Sequence, residues 1–72
     1  MYYFAKALDN DRTLFIAPLT DRVIARSGQD LEDASGYFLY SSLSSDGFTG
    51  VEIIARVASE EAAFALKEML GM

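Results

Sequence analysis

Acidic side chains stand close together at two places in the chain, and paired carboxylates serve acid–base catalysis and calcium binding. Asp9 and Asp11 flank an asparagine, and three more acidic residues lie within 30–33. A calcium loop that starts at Asp9 needs glycine at its sixth position and glutamate at its twelfth. This chain has Leu14 and Thr20 there. We therefore interpret both groups as solvated loop residues and predict no metal site.

Serine is frequent, but the chain contains neither histidine nor cysteine. A nucleophilic serine needs an adjacent base. The chain also lacks the Gly-x-Ser-x-Gly turn that exposes such a serine in one large class of hydrolases. No glycine-rich segment is followed by Gly-Lys-Ser or Gly-Lys-Thr, which a phosphate-binding loop requires. The sequence therefore predicts no catalytic residues, no cofactor and no enzymatic activity.

Three arginines remain as candidate anion contacts, namely Arg22, Arg26 and Arg56. A guanidinium group binds carboxylate or phosphate through two parallel hydrogen bonds, so convergent arginines would form an anion site. The alternative is that each arginine pairs with a neighbouring carboxylate, since acidic residues are plentiful in this chain. The sequence leaves both readings open.

The charge balance narrows the class of partner. Eleven acidic residues against six basic ones give a net charge of −5. Nucleic acids and anionic membrane surfaces are both bound through lysine and arginine, so we expect neither partner. No apolar run approaches the length of a membrane span, and no signal-peptide pattern is visible, so a cytoplasmic location is expected.

A strand followed by a helix near the end of the chain is the clearest structural signal. Val51–Val57 alternates and is rich in β-branched residues, which predicts a strand. Ser59 is a good N-cap for a helix that continues to Leu70, with Gly71 as its C′ residue. We expect the apolar strand face, Val51, Ile53, Ala55 and Val57, to meet the helix residues Ala62, Leu66, Met69 and Leu70.

The rest of the chain predicts further strands. Tyr2–Leu8 and Arg12–Ala17 would form a hairpin around Asp9-Asn10-Asp11, and Tyr37–Leu43 would pair with Val51–Val57 across Ser44-Ser45-Asp46-Gly47. Leu19–Gly28 is ambiguous: Thr20 could cap a short helix that Gly28 ends, but adjacent Val23 and Ile24 slightly favour a strand. Ser27–Gly36 is read as a polar loop.

Together these elements predict one α+β domain over residues 1–72. It would contain a small antiparallel sheet of three to five strands, built from two hairpins, with one C-terminal helix packed on one face. The strands are apolar on both faces, yet a single helix covers only one of them. Three covers are possible for the second face: the segment Pro18–Gly36, a second subunit, or a ligand.

The first functional hypothesis is a small interaction module that self-associates through this uncovered aromatic face, as a homodimer or with another protein. Small domains without disulfides often gain stability by association. The candidate interface comprises Tyr2, Phe4, Phe38, Tyr40 and Ile54, with Phe64 as a second contact point. The alternative is a small-molecule or peptide-binding domain that uses the same face, with Arg22, Arg26 or Arg56 orienting an anionic group.

Overall fold

The fold consists of two strands and a helix followed by two more strands and a second helix, an α+β arrangement that confirms the expected class. A computed structural model describes residues 3–45 and 48–72. The elements in chain order are β1 (Phe4–Ala7), β2 (Arg12–Pro18), α1 (Asp21–Ser27), β3 (Tyr37–Ser45), β4 (Phe48–Val57) and α2 (Glu60–Leu70). The expected C-terminal helix is present as α2, and α1 is a second helix.

The four strands form one sheet in the order β1-β2-β3-β4, with every neighbouring pair antiparallel. Both expected strand pairs are present, and β2 also pairs with β3, so the sheet is a continuous meander. The Asp9 carboxylate accepts hydrogen bonds from the backbone N–H groups of Asp11 and Arg12, at 2.9 and 2.8 Å. Such a bond from an Asp side chain to the following backbone stabilises a turn. The turn expected at Asp46-Gly47 lies outside the described residues.

Helix α2 has the expected caps at both ends. The Ser59 hydroxyl accepts a hydrogen bond from the Ala62 N–H at 3.0 Å, which satisfies one free donor of the first turn. Gly71 adopts the left-handed conformation at φ +71°, which glycine enters without steric cost. The helix buries Ala63 against Ile16 and Val57 of the sheet.

The ambiguous segment is a helix, so the slight preference for a strand was wrong. The Thr20 hydroxyl accepts from the Val23 N–H at 3.2 Å, and Gly28 closes the helix at φ +65°. The physical reason is that two local caps outweigh the weak β-preference of Val23 and Ile24. Pro18 also ends β2 just before this segment, because proline cannot donate a further ladder bond.

The two helix-facing sides of the sheet carry separate cores. On the α2 side, Ile16 is fully buried beside Val57. On the α1 side, the buried residues are Ala17, Phe38, Tyr40 and Ile53, with Val23 of α1 and Leu31 of the following loop packed against them. The segment between Pro18 and Gly36 therefore covers the aromatic side of the sheet, which was one of the three covers considered.

A bulge in β4 changes which residues meet α2. Leu39 pairs with Ala55 but Tyr40 pairs with Ile53, so Ile54 is an extra residue in β4. A bulge reverses the alternation of faces along the strand. Ile53 consequently packs on the α1 side and Val57 on the α2 side, and the expected single apolar face is not formed. Met69, expected to pack inward, is 77% exposed.

Candidate functional site

The candidate interface residues do not form one surface. Phe38 and Tyr40 are buried on the face of the sheet that α1 covers. Phe4 packs on the opposite side of the sheet, where its ring meets that of Phe64 edge-on at 5.5 Å. Ile54 is half-exposed at the bulge of β4, which is an edge strand. Tyr2, the remaining member of the set, lies outside the described residues.

In the 30–33 acidic group, Asp33 has local structural partners. Asp33 accepts a hydrogen bond from the Ser35 N–H at 2.9 Å and forms an ion pair with Arg56 at 3.3 Å. The Ser35 hydrogen bonds, followed by the charge of Arg56, lower the pKa of the Asp33 carboxyl. Across residues 3–45 and 48–72, no three Asp or Glu side chains gather in a way that could hold a metal ion.

Arg56 is held in a structural role. Besides its pair with the Asp33 carboxylate, it donates to the Asp33 backbone carbonyl at 3.1 Å. Its guanidinium carbon lies 5.3 Å from the centre of the Phe38 ring. These contacts tie the 29–35 loop to β4, so this arginine does not join the other two anion candidates.

Arg22 and Arg26 do come together. They are exposed and lie one turn apart on α1, and residues four apart on a helix have Cβ atoms about 5–6 Å apart. Within the described part of the chain, ion pairs form at Arg56 and Lys67 but not at these two arginines. Their side chains border a common groove on the α1 side of the sheet.

The groove has a floor of aromatic rings. The Phe15 ring stacks on that of Tyr40 at 5.1 Å with an angle of 18° between the planes, and the Tyr3 ring lies 5.7 Å from Phe15. Tyr3 is 63% exposed. The volume is about 410 Å³, within the usual range of small-ligand sites. We call this site the ring groove; it is lined by Tyr3, Phe15, Arg22, Val23, Arg26, Tyr40, Ser42, Thr49 and Val51.

The position of α1 explains why the groove is open. The helix packs against β4, which is the strand at one edge of the sheet. The antiparallel register places Phe15 opposite Ala5 of β1 and Tyr40 of β3, and paired residues share a face. The rings near β1 and β2 therefore extend past the helix and stay accessible beside its two arginines.

The electrostatic character of the ring groove is positive in an acidic chain. None of its lining residues, all from the described part of the protein, is a carboxylate. Burial, with a smaller contribution from Tyr3, raises the pKa of the Tyr40 phenol above its usual value of 10.0. Tyr40 is consequently neutral at physiological pH and brings no negative charge toward the arginines.

Two other grooves offer less to a ligand. One, of about 500 Å³, lies between the 29–33 loop and β4, and three of its polar side chains, Gln29, Asp33 and Arg56, already have partners. The Gln29 side-chain amide bonds the Ile53 backbone, and Arg56 bonds Asp33. The other, of about 200 Å³, lies near Arg12 and Glu52 at the ends of the strands and lacks an aromatic floor.

Sequence reasoning identified the two arginines of the ring groove but missed Tyr3 and Phe15. The register of the first hairpin is the feature that locates them. It places Phe4 opposite Ile16, so the residues before these two, Tyr3 and Phe15, share the other face of the sheet. No helix in the described residues is long and apolar enough to cross a bilayer. No protein-family model matches the chain, and neither the curated proteins nor the solved structures contain a significant match.

Proposed function

We propose that this protein is a non-enzymatic binding domain that holds a small organic anion in the ring groove. The observation that carries the proposal is the pair Arg22 and Arg26, without an ion-pair partner among the described residues, beside the ring floor of Tyr3, Phe15 and Tyr40. Guanidinium groups orient an anion, and an exposed ring binds the flat apolar body that carries it.

Binding is favoured over catalysis by the chemistry of the lining residues. A guanidinium group has five N–H donors and no acceptor, so Arg22 and Arg26 cannot act as a general base. The phenol of Tyr40 has a raised pKa and stays protonated. The hydroxyls of Ser42 and Thr49 would need a base to become nucleophiles, and the chain has no histidine.

The test is a titration of isotope-labelled protein with benzoate, followed by amide chemical shifts. We expect shifts at the groove residues, including those of α1. Arg22→Gln and Arg26→Gln should each weaken binding, because a charge-assisted hydrogen bond is worth about 1.5–3 kcal/mol. Arg12→Gln is the matched control, since it removes the same charge from β2 outside the ring groove.

Two outcomes would contradict the proposal. Benzoate could leave the groove amides unshifted up to millimolar concentration, or Arg12→Gln could weaken binding as much as the two groove variants. The second result would mean that the ligand responds only to the overall charge of the protein.

Self-association is the second candidate function, and exposed apolar side chains favour it. Tyr3, Leu8, Ile54 and Met69 are all half-exposed or more, although the domain is small. Light scattering across a range of concentrations measures the solution mass. Ile54→Ser is the suitable variant, because Phe38→Ser would disrupt a buried residue and confuse folding with association. A wild-type monomer at every concentration would exclude this candidate.

A further inference from the structure

We infer that the ligand of the ring groove is a small, flat-ringed monophosphate whose anionic group binds as a dianion. This inference rests on the proposed function and specifies its ligand class. It follows from the number of positive charges at the site, from the rings beside them and from the size of the groove.

Helix α1 supplies two positive charges to the ring groove. Arg22 and Arg26 border the same groove, and each guanidinium can donate two parallel hydrogen bonds. A carboxylate brings one negative charge and two oxygens, which one guanidinium already matches. A phosphate monoester brings about −1.5 to −2 charges at neutral pH and three acceptor oxygens. Two guanidiniums without a carboxylate among the lining residues therefore match a phosphate group better.

Aromatic rings form the floor of the ring groove. Phe15 and Tyr40 stack on each other at 5.1 Å, and Tyr3 extends the row of rings with most of its surface exposed. A flat ring carried by the ligand can stack on the exposed ring of Tyr3, which is worth energy beyond the buried area. A volume of about 410 Å³ suits a free small molecule rather than a length of peptide chain.

The groove also permits a clean pH test, because no aspartate, glutamate or histidine is among its lining residues. The titratable groups that face it are Arg22 and Arg26 from α1, Tyr3 preceding β1, and Tyr40 from β3. Burial raises the pKa of the Tyr40 phenol above 10.0. The other lining residues from β2, β3 and β4 are apolar or carry neutral hydroxyls. Any change in affinity between pH 5 and 7 therefore reports the protonation of the ligand.

The experiment compares phenyl phosphate with benzoate at pH 5 and pH 7, by amide shifts on the whole chain. A monophosphate with a second pKa near 6 is about one-tenth dianion at pH 5 and nine-tenths at pH 7, so its dissociation constant should fall roughly tenfold. Benzoate is ionised at both values, so its affinity should stay constant and weaker. Arg22→Gln and Arg26→Gln should each reduce the pH effect, and Arg12→Gln should leave it unchanged.

Distinct results would overturn the inference. Benzoate could bind as tightly as phenyl phosphate, with no effect of pH on either affinity. That result would refute binding as a dianion but leave the proposed anion-binding function standing. If inorganic phosphate binds as tightly as phenyl phosphate, the ring does not contribute. If a phosphotyrosine peptide binds much more tightly than phenyl phosphate, the ligand is a peptide rather than a free small molecule. If no probe shifts the groove amides, the proposed function fails as well.

Discussion

Gln29 acts as a substitute for a neighbouring strand at the outer edge of β4. Its side-chain oxygen accepts a hydrogen bond from the Ile53 N–H at 2.8 Å, and its side-chain nitrogen donates to the Ile53 carbonyl at 3.4 Å. An edge strand has a row of backbone groups without sheet partners, and proteins protect such edges against pairing with other chains. The bulge at Ile54, immediately after, interrupts the same edge.

Replacement of Gln29 by alanine removes both bonds, and the structure sets the size of the loss. A hydrogen bond contributes about 0.5–1.5 kcal/mol net, and a donor left unsatisfied in a buried place costs about 1–3 kcal/mol. The site is only partly buried, so water can replace part of what is lost. We therefore expect Gln29→Ala to lower the free energy of unfolding by about 1–2 kcal/mol, against a total of about 4–11 kcal/mol for a domain of this size.

Chemical denaturation gives the free energy of unfolding, and amide hydrogen exchange at Ile53 gives the local effect. Gln29→Ala should speed exchange at this amide beyond the change in global stability. Gln29→Glu is the matched control, because its carboxylate still accepts from the Ile53 N–H but cannot donate to the carbonyl. It should keep most of the protection. If Gln29→Ala exchanges at Ile53 as slowly as the wild type, the strand-like role of this side chain is refuted.

The remaining predictions concern the packing of α2, the 29–35 loop and the start of α1. Leu66→Ala should destabilise the domain by about 2 kcal/mol, the low end for such a truncation because the side chain is partly buried, and an unchanged denaturation midpoint would contradict this placement. The folded-state pKa of Asp33 is lowered, so its stabilising effect is present above the unfolded pKa of 3.8 and is lost as pH falls through the folded value. Denaturation curves should therefore show Asp33→Asn to be less stable than wild type at pH 7, with a difference that shrinks as the pH falls below 3.8. Thr20→Ala removes the N-cap bond of α1 and should cost about 1 kcal/mol, with faster amide exchange at Val23.

Local signals were sufficient for most of the sheet and for α2. Alternation, turn residues and caps each act within a few positions, so the Asp9 turn and the Ser59 cap could be located without tertiary information. The bulge at Ile54 could not, because it is defined by the pairing of β4 with β3 rather than by its own residues. One extra residue then changed the face of everything that follows it in β4.

The ring groove was only half predictable for a related reason. Arg22 and Arg26 lie on the same side in either a strand or a helix, but four residues span about 13 Å in a strand and about 6 Å on a helix. The helical spacing suits the proposed binding of one small anion by both guanidiniums better than the strand spacing does. The choice between the two states depends on the caps at Thr20 and Gly28, which outweigh the weak β-preference of Val23 and Ile24.

The same helix also decides how the surplus of apolar side chains is used. The sequence favours self-association because it predicts one helix for two apolar sheet faces. In the structure, α1 and the loop after it cover Phe38 and Tyr40. Tyr3 stays exposed at the rim of the ring groove, and it belongs to the apolar surface that a second copy could contact. The two proposed functions therefore compete for one ring. If a dimer forms through Tyr3, saturating phenyl phosphate should shift it toward monomer, whereas a dimer formed through Ile54 should be indifferent to the ligand.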